Sequence, residues 1–247
     1  MTPFDLIPGQ NPAVFVFADH ASNHVPDWIG GLGSTDMDAQ RHIAWDIGTE
    51  WVARELCREL NCGGLICGFS RLVIDANRDL RFDGLIPSLS DGTLIPANVD
   101  LSEAQRQDRI DRLYTPYHNA LSDALDARPN TLAISIHSFT PQLSGQAPRS
   151  TDIGMLVKDD PDTADRFIAA LQPRAPDLRI EVNQPYSAYV LNHTVDHNVV
   201  PRGLRHLAIE LRQDHIANNK DAVSMAHILA RAIEPLLPEI SDARNDD

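Results

Sequence analysis

Four short apolar runs punctuate the chain, and each one ends in residues capable of chemistry. Residues 14–18 lead into Asp19-His20, residues 72–74 into Asp75-Ala76-Asn77-Arg78, residues 133–136 into His137-Ser138-Phe139, and residues 207–209 into Glu210-Leu211-Arg212. Runs this short, rich in β-branched residues and apolar at successive positions, predict strands buried on both faces. Open α/β sheets bind ligands just beyond the carboxyl ends of their strands. The pattern therefore predicts one rim that gathers two histidines, a carboxylate and several arginines.

Helical periods fill the gaps. Ser34 or Thr35 offers an N-cap for a helix reaching to about residue 60, broken near 46–48 so that Asp46 stands at a helix start. Residues 64–74 predict one or two strands interrupted at 68–70. Ser102 caps a helix over 103–127, in which Ile110, Leu113, Tyr117, Leu121 and Leu125 form one apolar stripe. Strands are expected at 154–157, 180–182 and 206–211, and helices at 162–171 and 222–236. Residues 80–100 read as a connection long enough to serve as a lid or binding loop. Residues 183–203 form a second long loop carrying Tyr186, Tyr189, His193 and His197. The alternation predicts an α/β fold, with residues 1–247 as a single domain and a charged tail that frays after residue 238.

Composition narrows the function. A formal charge of -14 over 247 residues argues against a nucleic-acid partner and against anionic membrane surfaces. With 43% hydrophobic residues the chain can bury a full core. Arg71, Arg78 and Arg81 lie close together in this acidic background, which suits a small anionic ligand. Cys57, Cys62 and Cys67 are odd in number and lack C-x-x-C spacing, so neither a disulfide framework nor a zinc knuckle is expected. No apolar run approaches the roughly 20 residues of a membrane span, and residues 13–18 are too short for a signal-peptide core. These features predict a cytoplasmic protein.

A catalytic zinc usually takes three protein ligands and leaves its fourth position open. His20 and His137, each at a strand end, are the candidates for two of them. Asn23, His24, His42 and Asp46 are the local choices for the third. Asn23 is a poor zinc ligand because a neutral amide cannot offset the ion's charge. Asp46 serves if its helix points back at the rim, with His42 one turn earlier as a supporting partner. Glu210 and Arg212 are two apart on a strand and so share a face. They form either a buried ion pair or a general base with an arginine that positions it or the substrate. Asn77-Arg78 suits a substrate carboxylate, which a guanidinium grips through two parallel hydrogen bonds, and equally suits a plain surface turn. His118, His193, His206, His215 and His227 carry no such context and are read as packing or surface residues.

Taken in order, these residues resemble the N-formylglutamate amidohydrolase family, within the wider group of zinc carboxypeptidase-like and aspartoacylase-like hydrolases. The resemblance runs from Asp19-His20-Ala21-Ser22-Asn23 through His42-Ile43-Ala44-Trp45-Asp46-Ile47-Gly48, Ser70 to Arg78, Ser90-Asp91-Gly92-Thr93, Pro116-Tyr117-His118 and Ser135 to Pro141, ending at Ile209 to Asp214. It implies a three-layer α/β/α fold with a central mixed sheet, like that of the zinc exopeptidases of the phosphorylase/hydrolase type, and one hydrolytic Zn2+. By carry-over His20 and His137 match the metal histidines and Glu210 the catalytic carboxylate. Asn77 and Arg78 resemble the pair that holds a substrate carboxylate, and Arg71 the arginine that stabilises the oxyanion. Carboxypeptidases use His-x-x-Glu, whereas His20 is followed here by Asn23. The order of histidine, later carboxylate and strand histidine is instead similar to zinc-dependent muramoyl-alanine amidases. That similarity favours Asp46 and leaves Asn23, His24 and His42 as the other choices.

The expectation is a zinc-dependent amidohydrolase that cleaves the amide of a small anionic N-acyl amino acid, with N-formyl-L-glutamate giving formate and glutamate. Arg212 and Tyr186 are expected to touch that substrate. The competing readings are a zinc peptidase or muramoyl-peptide amidase, and a metal- or ligand-binding protein of the same fold without catalysis.

Overall fold

Residues 14–18 are apolar at every position because both of their faces are covered. Val14, Val16 and Ala18 enter one hydrophobic cluster, and Phe15 and Phe17 enter another on the opposite side of the sheet. The computed structural model describes residues 2–237, so the tail expected to fray after 238 lies outside the described residues. In chain order the elements are β1 (Phe4–Ile7), β2 (Asn11–Ala18), α1 (Asp36–Ala39), α2 (Thr49–Glu59), β3 (Cys62–Cys67), β4 (Leu89–Ser90), β5 (Thr93–Leu94), α3 (Glu103–Arg109) and α4 (Thr115–Asp126). They continue with β6 (Leu132–Phe139), β7 (Ile153–Leu156), α5 (Pro161–Leu171), β8 (Ile180–Val182), β9 (His206–Arg212) and α6 (Asn219–Ile233).

A seven-stranded sheet has the order β1-β3-β2-β6-β9-β7-β8. Its centre, β3-β2-β6-β9, is parallel, while β1 and β7 pair antiparallel at its two sides, so the sheet is mixed. Helices α2, α5 and α6 cover one face through Val52, Leu56, Phe167, Leu171, Met225 and Leu229. The α3–α4 segment covers the other, and the predicted stripe Ile110, Leu113, Tyr117, Leu121 and Leu125 is what it buries. The result is the three-layer α/β/α arrangement expected. Successive strands depart to opposite sides of β2 and β6, which makes the gap between them the switch point where a ligand crevice opens.

Two departures from the predicted elements bear on the site. Residues 72–74 form buried turns instead of a strand: β3 ends at Cys67, Val73 N–H bonds back to Ser70 O, and Asp75 N–H bonds to Leu85 O. The run is apolar because the 80–100 segment roofs it with Leu85 and Ile95, and periodicity alone cannot distinguish a roofed turn from a buried strand. The expected helix over residues 35–60 is split into α1 and α2 by a longer break than expected. Thr35 caps α1, and Gly48 precedes α2 with φ 86°. A Cβ at Gly48 would lie 2.2 Å from Ile216 O, so the turn that presents Asp46 requires glycine. Elsewhere β1 adds an edge strand absent from the predicted elements, and β4 and β5 make a small hairpin inside the 80–100 segment.

Candidate active site

His20 leaves the end of β2, His137 sits near the end of β6, and the α2 turn brings Asp46 between them through an Asp46 N–H bond to His20 O of 2.8 Å. His137 Nδ1 lies 2.9 Å and His20 Nδ1 3.3 Å from the same oxygen, Asp46 Oδ2. The opposite nitrogens are also held. His20 Nε2 meets Asp75 Oδ1 at 2.6 Å and His137 Nε2 meets Asp19 Oδ2 at 3.3 Å. Those carboxylates are anchored in turn: Tyr117 OH donates to Asp19 at 2.6 Å, and Arg71 and the Asn77 N–H each donate to Asp75 at 2.9 Å. Each imidazole thus has one nitrogen tied to a carboxylate and the other turned inward, the arrangement that fixes tautomer and ring orientation in metal-binding histidines.

All three candidate donors are buried, and their ligand atoms lie within 4.8 Å of one another. A tetrahedral zinc with bonds of about 2.0–2.1 Å holds its ligand atoms roughly 3.3 Å apart. The 3.3 Å between His20 Nδ1 and Asp46 Oδ2 matches that spacing. Two imidazoles and a carboxylate are a fitting donor set for such an ion.

Glu210 stands directly opposite His137 in the β6–β9 register and faces the same side of the sheet. On its other flank is Gly154, where a Cβ would come within 3.2 Å of Glu210 Cβ and 2.2 Å of Gln184 O. Glu210 Oε2 is buried and has no hydrogen-bond partner among the described residues. Burial pushes the Glu210 carboxyl up to about 7, with nearby Asp46 adding to the rise and His137 opposing it. Burial also disfavours the charged form of Asp75, but Arg71 and His20 outweigh it and hold the group well below the usual carboxylate range. His137 is raised well above the ordinary histidine value because Asp19 and Asp46 override its desolvation.

A cavity of about 140 Å³ joins these groups, and Arg71, Asn77, Arg78 and Tyr186 line it together with His20, Asp46, His137 and Glu210. Arg71 reaches Asp46 Oδ1 at 3.3 Å as well as Asp75. Asn77 Oδ1 accepts from Thr194 N–H at 2.8 Å. Of the choices for the third position, Asp46 is the residue brought to the histidines. Asn23 is spent on Ala39 O, His24 lines a different cavity beside Trp28, and His42 lines this cavity without joining the cluster.

Arg212 is not brought into the cavity, contrary to expectation. It closes β9 beside Asp152 and Asp214, which hold its guanidinium at 2.7 and 2.8 Å and turn it away. Arg81 points to solvent beside Asp79. Sequence reasoning assigned no role to Asp19 or Asp75, although both stand within the motifs quoted, and it missed Arg149. Arg149 stacks on the Phe139 and Tyr186 rings and donates to Tyr186 OH at 3.2 Å. Only the fold brings Asp75 to His20, Asp19 to His137 and Arg149 to Tyr186.

The N-formylglutamate amidohydrolase family model matches residues 12–217. The chain belongs to that family. Its structure is similar to that of a gene product from Agrobacterium tumefaciens, with 31% identity, 98% of this chain and 97% of that chain covered, and a TM-score of 0.89. It is also similar to N-formylglutamate amidohydrolase from Ralstonia eutropha JMP134, with 19% identity, coverage of 98% and 100%, and a TM-score of 0.76. A bacteriophage poly-gamma-glutamate hydrolase shares the fold more distantly, with 11% identity, coverage of 95% and 90%, and a TM-score of 0.50. No curated protein sequence matches the chain. Family membership makes the chain an amidohydrolase. Among the described residues no helix is long and apolar enough to cross a membrane.

Proposed function

We propose that the chain is a zinc-dependent amidohydrolase of small N-acyl amino acids, with N-formyl-L-glutamate as its reference substrate. The observation that carries this reading is the convergence of His20 Nδ1 and His137 Nδ1 on Asp46 Oδ2, with the unpartnered Glu210 carboxylate one strand away. His20, Asp46 and His137 hold the ion. Bound zinc supplies Lewis-acid polarisation of the scissile carbonyl and a hydrolytic nucleophile at neutral pH.

The chain's own residues account for the rest. Glu210 is the general base: its buried carboxylate, whose Oε2 has no hydrogen-bond partner among the described residues, can take a proton from the attacking water and return it to the leaving amine. Arg71 donates to the oxyanion as charge develops there, while Asp46 and Asp75 hold its guanidinium in place. Asn77 and Arg78 receive the substrate carboxylate. Arg78 suits this role because its nearest carboxylate, Asp75, is 3.9 Å away, which leaves hydrogen-bonding capacity for a ligand. Tyr186, braced by Arg149, lies against the bound substrate. Arg212 has no part in the chemistry. Three buried, unpaired cysteines support a cytoplasmic location.

The test is formate release from N-formyl-L-glutamate by zinc-loaded protein, with a chelator-treated sample alongside. Zinc-dependent formate supports the reading. Protein that holds zinc through His20 and His137 yet releases no product from any N-acyl amino acid refutes it.

A further inference from the structure

Residues 144–148 and 150 are exposed, yet Arg149 between them turns its side chain inward. Its backbone N–H bonds to Pro141 O at 2.8 Å and its guanidinium donates to Thr140 O at 3.0 Å, so the loop that follows β6 closes on itself. The same guanidinium covers the Phe139 and Tyr186 rings at 5.6 and 4.9 Å and donates to Tyr186 OH at 3.2 Å. Phe139 meets the Tyr186 ring edge to face, with 6.4 Å between centroids and 82° between planes. Tyr186 belongs to the long 183–203 segment, and these contacts fasten it to the strand that carries His137.

An arginine can only donate hydrogen bonds, whereas a phenol donates one and also accepts. In the Arg149–Tyr186 pair the phenol oxygen is therefore the acceptor, and the phenol proton is left over. No acceptor for that proton lies within hydrogen-bond reach among the described residues. Tyr186 lines the cavity together with His20, Asp46, His137 and Glu210, and Arg149 does not. Burial and nearby Glu210 push the phenol up, with Arg149 opposing, so the group keeps its proton at neutral pH. Asp46 acts on it in the same sense as Glu210, and both carboxylates stand at the end of the cavity where the histidines converge. That end of the site thus holds an uncommitted proton donor, polarised by the cation bonded to its oxygen.

We infer that the Tyr186 hydroxyl is a second donor to the oxyanion, beside Arg71, and that Arg149 is the positioning residue that presents it. The inference rests on the proposed function and adds a catalytic residue to that same site. A donor held in place before the reaction stabilises charge as it develops on the carbonyl oxygen, without reorganising at that moment. Tyr186 keeps its proton throughout and gives only a hydrogen bond. The reaction is unchanged: water adds across the amide C–N bond, Glu210 carries the proton to the leaving amine, and the acid and the free amino acid depart.

The experiment is a double-mutant cycle on formate release from N-formyl-L-glutamate by the zinc-loaded chain. Tyr186→Phe removes the hydroxyl and leaves the ring beneath Arg149. Its kcat should fall by about 100-fold, the effect of losing one oxyanion donor, while KM stays within about 2-fold. Arg149→Met removes the group that aims the hydroxyl and should lower kcat by about 10- to 100-fold. In the Tyr186→Phe background the same Arg149→Met change should alter kcat by no more than about 2-fold, because its target is gone. All three variants should hold zinc at the wild-type stoichiometry. Wild-type kcat in Tyr186→Phe, or a loss confined to KM, overturns the donor role and leaves the amidohydrolase reading standing. An equal loss from Arg149→Met in both backgrounds overturns the positioning role of Arg149. No formate from the wild-type chain, shown to hold zinc, overturns the inference together with the substrate on which it rests.

Discussion

Asp75 Oδ1 lies 2.6 Å from His20 Nε2 and thereby commits Nδ1 of that imidazole to the inner face of the site. The neighbouring histidine repeats the relationship with Asp19. Carboxylates of this kind typically contribute 10- to 100-fold to metal affinity by fixing ring orientation and basicity. Asp75→Asn should therefore bind zinc about 10- to 100-fold more weakly in competition with a chromogenic chelator. Wild-type affinity in that variant would remove Asp75 from any orienting role.

Glu210 belongs to a different layer of the site. It faces His137 across the strand pair but lies outside the three-residue cluster, so replacing it should separate binding from turnover. Glu210→Gln keeps the shape of the side chain and removes its capacity to accept a proton. The variant should retain zinc near the wild-type stoichiometry while kcat falls by about 10²- to 10⁴-fold. Loss of zinc together with turnover would mean that Glu210 is a ligand and not a base.

The sequence made much of this site legible because its key residues terminate strands. Ala18 to His20 and Ile136-His137 follow apolar runs, and the ends of parallel strands gather on one rim whatever the intervening chain does. Glu210 was legible for the same reason. Asp46 was readable only as one of several choices, since its position depends on a Gly48 turn packed against Ile216, a contact between distant segments. Residues 72–74 were misread because a roof of Leu85 and Ile95 buries them as thoroughly as a sheet would. Arg212 was misplaced because strand periodicity gives the face of a side chain and says nothing of the carboxylates, Asp152 and Asp214, that capture it. Arg149 had no local signal at all, since its partners Phe139 and Tyr186 lie 10 and 37 positions away.

Gly154 tests how closely Glu210 is packed. A methyl group there would meet Gln184 O at 2.2 Å and Glu210 Cβ at 3.2 Å, so β7 or its neighbours must shift to admit it. Overpacking of this kind typically costs about 1–3 kcal/mol. Gly154→Ala should lower unfolding stability by about that amount in urea and also reduce kcat, because the displaced strand carries Glu210's flank. A variant with wild-type stability and turnover would show that the strand pair yields freely and that the close approach has no role.

His118 sets an acid limit on the fold away from the His20–Asp46–His137 cluster. Its Nε2–H donates to Ala76 O at 2.9 Å, and its Nδ1 accepts from Asn198 Nδ2 at 3.0 Å, so both nitrogens are satisfied only in the neutral ring. Burial lowers its pKa from 6.5 to about 4; Asp19 opposes that shift, and the nearby rings of His193 and His197 reinforce it. In the unfolded chain the ring titrates near its ordinary value. Between pH 6.5 and about 4 the unfolded state therefore binds a proton that the folded state refuses, and stability falls as pH falls through that window. Above pH 6.5 the ring is neutral in both states and this loss is absent. The effect amounts to about 3 kcal/mol across the window. His118→Gln can still donate to Ala76 O but does not titrate. Its unfolding free energy should be lower throughout, yet decline less steeply than wild type between pH 6.5 and 4, by a slope of nearly one proton. Urea unfolding at a series of pH values reads that slope directly, and equal slopes in the two proteins would show that His118 already takes up its proton in the folded state.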